Sequence, residues 1–192
     1  MKKKIAAMLS AESDEWGTPR RTFEHIDRSF GFNLDAAATK ANALCSIYIT
    51  KEENALRRTW AGTTFWLNFP YSMAAAFTKH ARLEAMKPGT SGVLLSPVRP
   101  DTEWWRDNVL QLDGGAGALR TSRFMVETGA LWLGFERLIV GVRWLKGRLT
   151  FRPPAGSPPP DPAPFPSAVI VLSHPGKRPR LEGTEWTKGW PV

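Results

Sequence analysis

The chain has 192 residues, 42% of them hydrophobic and 23% charged, the composition of one globular domain with a single sizeable core. A second domain of ordinary size would leave neither half enough interior, and no apolar run approaches the roughly 20 residues needed to span a bilayer. A formal net charge of +8 and a pI near 10.0 fit a polyanionic partner, because neutralising phosphates supplies most non-specific nucleic-acid affinity.

In chain order, residues 1–13 read as a basic arm: Lys2, Lys3 and Lys4 precede an apolar stretch too short for a secretory signal. Thr18–Phe30 is expected to be a helix with Pro19 in its first turn, Phe23, Ile26 and Phe30 on one face, and Gly31 at its end. Short strands are predicted at residues 32–34, 46–50 and 64–67. Asp35–Thr39 is a run of small residues where the first strand hands over to a loop. A helix follows from about Met73 to Met86, then the most apolar strand, Ser91–Val98. The next predicted helix runs from Asp101 to about Leu110, capped by Asp101 or Thr102. Strand and helix alternate to this point, so the class is α/β, and ligand chemistry in such sheets sits where strands end.

From Leu131 the texture turns to β, with strands expected at 138–145, 148–151 and 167–172. Between the last two, residues 152–166 contain eight prolines in fifteen positions and read as an extended loop. Residues 174–192 form a basic, Gly- and Pro-containing tail. The single cysteine, Cys45, excludes an intrachain disulfide, suits a reducing cytosol, and beside Leu44 and Ile47 reads as a small buried hydrophobe. His25, His80 and His174 are scattered, and no Cys or His pair has ligand spacing, so no metal site is expected. Gly114–Gly117 lies in the wrong half of the chain for a dinucleotide turn.

Asn68-Phe69-Pro70-Tyr71, at the end of an apolar strand, carries the most chemical information. Moving a methyl group to an exocyclic amine requires that the amine lone pair be freed from the ring and aimed. Two acceptors facing the amine hydrogens do this: an Asn side-chain oxygen, and a backbone carbonyl one residue on. A nearby aromatic ring can stack on the base. The tetrapeptide resembles the Asp/Asn-Pro-Pro-Tyr motif of amino-group methyltransferases acting on DNA, whose target base is swung out of the duplex. Phe69 stands where the family has its first proline; the carbonyl survives the change, the fixed φ does not, and bulk is expected near the pocket.

Further stretches agree in order with phage N6-adenine methyltransferases: Glu15–Pro19, Phe32–Thr39, Asn42–Cys45, Tyr48–Glu52, Trp60, Trp66–Ser72, Pro97–Trp105, Gly147–Phe151 and Pro164–Ala168. The chain is therefore identified as similar to that family, over residues 14–172. The resemblance implies an abbreviated Rossmann-like, S-adenosylmethionine-dependent methyltransferase sheet with flanking helices and a β-rich C-terminal part, within a domain at 14–173. Only 33 positions separate Asp35 from Asn68, too few for the three βα units of a full methyltransferase sheet.

By the same resemblance, Trp16, Thr18 and Pro19 lie against the methionine end of S-adenosylmethionine. Asp35, Ala36 and Ala37 form the acidic strand-end turn of the cofactor site, Asp35 having a helix N-cap as its alternative reading. Glu52 accepts from the ribose, or is a surface carboxylate. Asn68 and the Phe69 carbonyl are the acceptors, with Pro70 between them and the stacking Tyr71. With no long insertion between the two sites, recognition of double-stranded DNA falls to an insert at 111–146, holding Arg120, Arg123, Arg137 and Arg143, and to the basic ends. Arg99 and Arg148 are further DNA-contact candidates, and Trp104 and Trp105 lie where a ligand role is conceivable. The expected setting is the cytoplasm of a bacterial host, in a phage or prophage context, with restriction-modification as one use. Two other readings stay open: N4-cytosine methylation, and a DNA-binding scaffold made inactive by Phe69.

Overall fold

The computed structural model describes residues 16–110, 123–127, 130–134, 138–154 and 159–174. The basic arm, the tail beyond His174, and Arg120 and Arg137 of the expected insert lie outside the described residues. Helices α1 (Arg20–Phe30), α2 (Ala74–Ala85) and α3 (Glu103–Trp105) accompany strands β1 (Leu34–Asp35), β2 (Thr64–Leu67), β3 (Ser91–Pro97), β4 (Arg123–Glu127), β5 (Ala130–Gly134), β6 (Ile139–Trp144) and β7 (Ser167–Ser173). The strands form one mixed sheet in the order β1-β2-β3-β7-β6-β5-β4. β1, β2 and β3 are parallel, whereas β7 runs antiparallel between β3 and β6. The class is mixed α/β.

The strands β2, β3 and β7 present alternate residues to two apolar layers, which β6 joins. Phe65, Leu67, Leu94, Val140, Val142, Ile170 and Leu172 face α2, α3 and Trp60. Trp66, Val93, Leu95, Val169 and Val171 face Phe23 and Ile26 of α1, together with Leu145, Leu149, Phe151, Ala163 and Phe165 from the Pro-rich segment and its flank. α1 starts after Pro19 and ends at Gly31, whose left-handed φ of 64° lets its N–H reach the Asp27 carbonyl. Gly92 is required for a different reason. A Cβ there would stand 2.3 Å from the Phe65 ring. Gly92→Ala is expected to cost about 1–3 kcal/mol through overpacking, read as a lower denaturation midpoint with an unchanged m-value.

Four expectations are corrected. Residues 46–50 are not a strand: β1 is only two residues long, and its free edge holds this segment by a single bridge, Asp35 to Tyr48, with Asp35 N–H donating to Ile47 and Ile49 N–H to Asp35. Residues 148–151 are extended but pair with no strand, because the following Arg152 bridges to Gly17 instead. Thr102 occupies the N-cap of α3 without capping it, since its hydroxyl donates to the Arg99 carbonyl; Asp101 is engaged by the Arg99 guanidinium. Past Trp105 the helix loosens into a π turn, Arg106–Leu110. β4 and β5 form an antiparallel ribbon within the expected insert, on the far edge of the sheet.

The connection from β1 to β2 is short. β1 pairs directly with β2, and among residues 36–63 the connection holds only one 3₁₀ turn, Ala55–Arg57. Parallel neighbours usually need a crossover helix. Here a packed loop replaces it, anchored by the buried Trp60 and by Glu84. The Glu84 carboxylate accepts from Trp60 N–H at 2.7 Å, from the Thr59 hydroxyl at 3.1 Å and from Lys87 Nζ at 2.6 Å. Desolvation pushes its pKa up, but these donors together outweigh it and hold the group below its ordinary value.

Candidate active site

The parallel strands bring their carboxyl ends to one edge of the sheet. Asp35 closes β1, Asn68 follows β2, and Val98, which follows β3, donates its N–H to Pro166 just before β7. The segment before α1 arrives at the same edge: Asn68 Nδ2 donates to the Trp16 carbonyl at 2.8 Å, and Gly17 and Arg152 exchange backbone hydrogen bonds at 2.9 and 2.8 Å. The Trp16 bond fixes the orientation of the Asn68 amide. With the nitrogen turned to Trp16, Oδ1 is the acceptor left over, and no described donor takes it.

Phe69 departs from expectation. Its ring is 2% exposed and turned into the core, against Phe77, Trp104 and Tyr71 at centroid distances of 6.5, 6.2 and 5.6 Å. The bulk therefore enters the core, and packing restrains the backbone where a proline would have done so covalently. Pro70, at φ −61°, leads into a 3₁₀ turn, Tyr71–Met73, closed by Met73 N–H on the Pro70 carbonyl. The Tyr71 ring is braced edge-on by Phe69, Phe151 and Phe165, and its hydroxyl is buried with no hydrogen-bond partner. Burial raises the Tyr71 pKa, so the phenol stays protonated.

Asp35 is 3% exposed, and its carboxylate accepts from the Leu44 N–H at 3.0 Å and from the Ala37 N–H. No helix follows, so it is not an N-cap; it ties the 36–44 loop to the strand end. Desolvation pushes its pKa up to about 6, although the two backbone donors pull the other way, and no described cation pairs with it. The same carboxylate helps hold the neighbouring Cys45 thiol at about 12, after desolvation, so Cys45 is no nucleophile at neutral pH. Ala36 N–H bonds the Trp66 carbonyl and Ala38 N–H the Ile49 carbonyl, and Ala36 itself is fully buried in the core, with Ala37 packed against it. Thr18 is 2% exposed with its hydroxyl unpartnered, and Pro19 adjoins it at the start of α1.

Other candidates are dispersed. Glu52 is fully exposed on the turn after Ile49, its pKa lowered by its own backbone N–H and by Thr50. Arg99 pairs with Asp101 at 3.2 Å. Arg148 is exposed and reaches the Ala163 carbonyl at 3.4 Å. Arg123 begins β4, opposite Gly134. Arg143 is buried on β6 rather than displayed on a surface, and desolvation lowers its pKa. Trp105 is a core residue at 1% exposure. Phe151 and Phe165, the walls around Tyr71, escaped residue-by-residue reading, although both fall in stretches that carried the family resemblance. Among the described residues no His, Cys, Asp and Glu cluster could hold a metal, and no helix is long and apolar enough to cross a membrane.

The chain matches the family described as DNA N-6-adenine-methyltransferase (Dam) over residues 6–116. It is similar to the DNA N-6-adenine-methyltransferase of Escherichia phage T1, 34% identical over 99 residues, which is 50% of this chain and 41% of the phage protein. It is also similar to YfdM of Escherichia coli (strain K12), which carries the provisional name of a methyltransferase: 39% identity over 62 residues, 32% of this chain and 68% of that protein. The chain thus spans about two fifths of the phage T1 protein's length. A match over more than half the chain, reaching from the Trp16 segment through Asp35, Asn68 and the end of β3, shows that this protein belongs to the Dam family of DNA N-6-adenine-methyltransferases.

Proposed function

We propose that the chain is an S-adenosylmethionine-dependent methyltransferase acting on the N6 amine of an adenine swung out of duplex DNA. The observation that carries this reading is the fixed Asn68 amide, whose oxygen is presented at the sheet edge by the Trp16 carbonyl. Asn68 Oδ1 and the Phe69 carbonyl accept the two amine hydrogens, which frees the nitrogen lone pair and aims it. Tyr71, braced on three sides, holds the base against rotation by stacking. No side chain forms a covalent adduct. Arg148, exposed near the same edge, contacts DNA, as does the β4–β5 ribbon in the recognition insert, with the basic arm and tail adding charge.

The residues present fit the cofactor. Asp35 is a buried carboxylate without a cationic partner among the described residues, and Thr18 and Tyr71 carry buried hydroxyls without partners. When bound, S-adenosylmethionine supplies a methyl group on a cationic sulfonium. Trp16, Thr18 and Pro19 hold its methionine end, whose carboxylate suits the N-terminus of α1, and Asp35 faces the positive charge. Glu52 reaches the ribose hydroxyls.

Asp35 makes affinity for the donor depend on pH. Its folded pKa lies above the ordinary 3.8, so ionising it costs stability: the fold gains below pH 3.8 and loses that gain as pH rises to about 6. A cation bound opposite favours the ionised form, so binding releases a proton when the pH is near or below 6. Calorimetry is expected to show donor affinity rising from pH 5 to pH 7 and then levelling. Asp35→Asn is expected to flatten that profile and weaken binding about tenfold.

Incubation with methyl-labelled donor and, separately, duplex DNA, RNA or protein tests the reading. Label is expected in duplex DNA; transfer to RNA or protein alone would overturn it.

A further inference from the structure

Beyond β6 the chain makes a turn, Leu145–Leu149, that leads into the Gly147–Phe151 stretch. Leu145 and Leu149 are buried anchors in the layer facing α1. Leu145 N–H donates to the Ser167 carbonyl and the Leu149 carbonyl accepts from Ala163 N–H, so the turn is pinned at both ends. Between the anchors Lys146, Gly147 and Arg148 project into solvent, and just before them Trp144, the last residue of β6, is 48% exposed. Trp144 therefore sets a half-exposed aromatic face beside two cations on a turn held at both ends, a combination suited to stacked bases and phosphates.

Its position follows from strand register. Leu67 pairs with Leu94, while Ser96 and Trp144 both pair with Ala168. Asn68 and Trp144 therefore stand at nearly the same height on the sheet's carboxyl edge. They are three strand spacings apart, about 14 Å, comparable with the width of a major groove.

We propose that Trp144–Arg148 is the duplex-docking element of this enzyme: Trp144 stacks on bases exposed when the target leaves the helix, and Lys146 joins Arg148 in neutralising the flanking phosphates. The proposal rests on the reading of DNA as substrate. Stacking on an aromatic side chain is sequence-tolerant, and each phosphate neutralised adds to the salt dependence of binding.

Anisotropy of a labelled duplex, measured over a range of salt concentrations with donor affinity measured on every variant, tests it. Trp144→Ala and Trp144→Leu are expected to weaken duplex binding about tenfold or more, and Trp144→Phe to stay within about threefold of wild type. Lys146→Gln is expected to lose about threefold and to reduce the salt slope by about one. Donor affinity should be unmoved in all four, which separates a lost contact from a lost fold. Wild-type duplex affinity in Trp144→Ala, or retention by Trp144→Leu, would overturn the stacking role while leaving the activity standing. A wild-type protein that binds donor but no duplex would overturn the reading of the substrate and this proposal with it.

Discussion

Asn68→Ala is expected to lower the methyl-transfer turnover by about 10²–10³ while donor affinity stays within about threefold, because one of the two proposed acceptors is removed while the Trp16–Gly17 segment stays tied by the Gly17–Arg152 backbone pair. The variant should fold: Asn68 is only half-buried, and the one hydrogen bond its side chain makes among the described residues is to the Trp16 carbonyl. Asn68→Asp separates the two duties of the amide. It keeps an acceptor but loses the Nδ2 donor, setting a carboxylate oxygen against the Trp16 carbonyl. Its turnover is expected to fall between wild type and Asn68→Ala. Near-wild-type turnover in Asn68→Ala would show that the amine is not activated there.

Phe69→Pro restores the residue that the resembled motif carries, yet it is expected to damage this protein. The Phe69 ring is buried among Phe77, Trp104 and Tyr71, and deleting a buried aromatic ring of this kind costs about 3–5 kcal/mol. For a chain of this length the melting temperature should drop by about 10 °C. Turnover per folded molecule should not rise, because packing already fixes the backbone that presents the carbonyl. An unchanged melting temperature with faster turnover would show the ring to be a handicap instead.

The place of the candidate motif was more legible in the sequence than the sheet around it. Asn68–Tyr71 stands out in the sequence as a polar-aromatic motif at the end of an apolar strand, and the structure places Asn68 directly after β2. The short Asp35–Asn68 interval agrees with a connection that holds only one 3₁₀ turn. What the sequence hid was long-range pairing. Residues 46–50 and 148–151 have strand-like composition, but whether such a segment joins a ladder depends on the edge it meets, a two-residue strand in one case and Gly17 in the other. The direction of the Phe69 ring was equally hidden, since periodicity ends where the strand does. Arg143 looked like surface charge because nothing local marks the alternation that buries it on β6.

The identity of the methylated base tests the central claim most directly. Unmethylated duplex DNA is incubated with the protein and labelled S-adenosylmethionine, digested to nucleosides and resolved by mass spectrometry. Label in N6-methyladenine, lost in Asn68→Ala, is the result this account predicts; label in N4-methylcytosine, or none despite demonstrated donor binding, would contradict it.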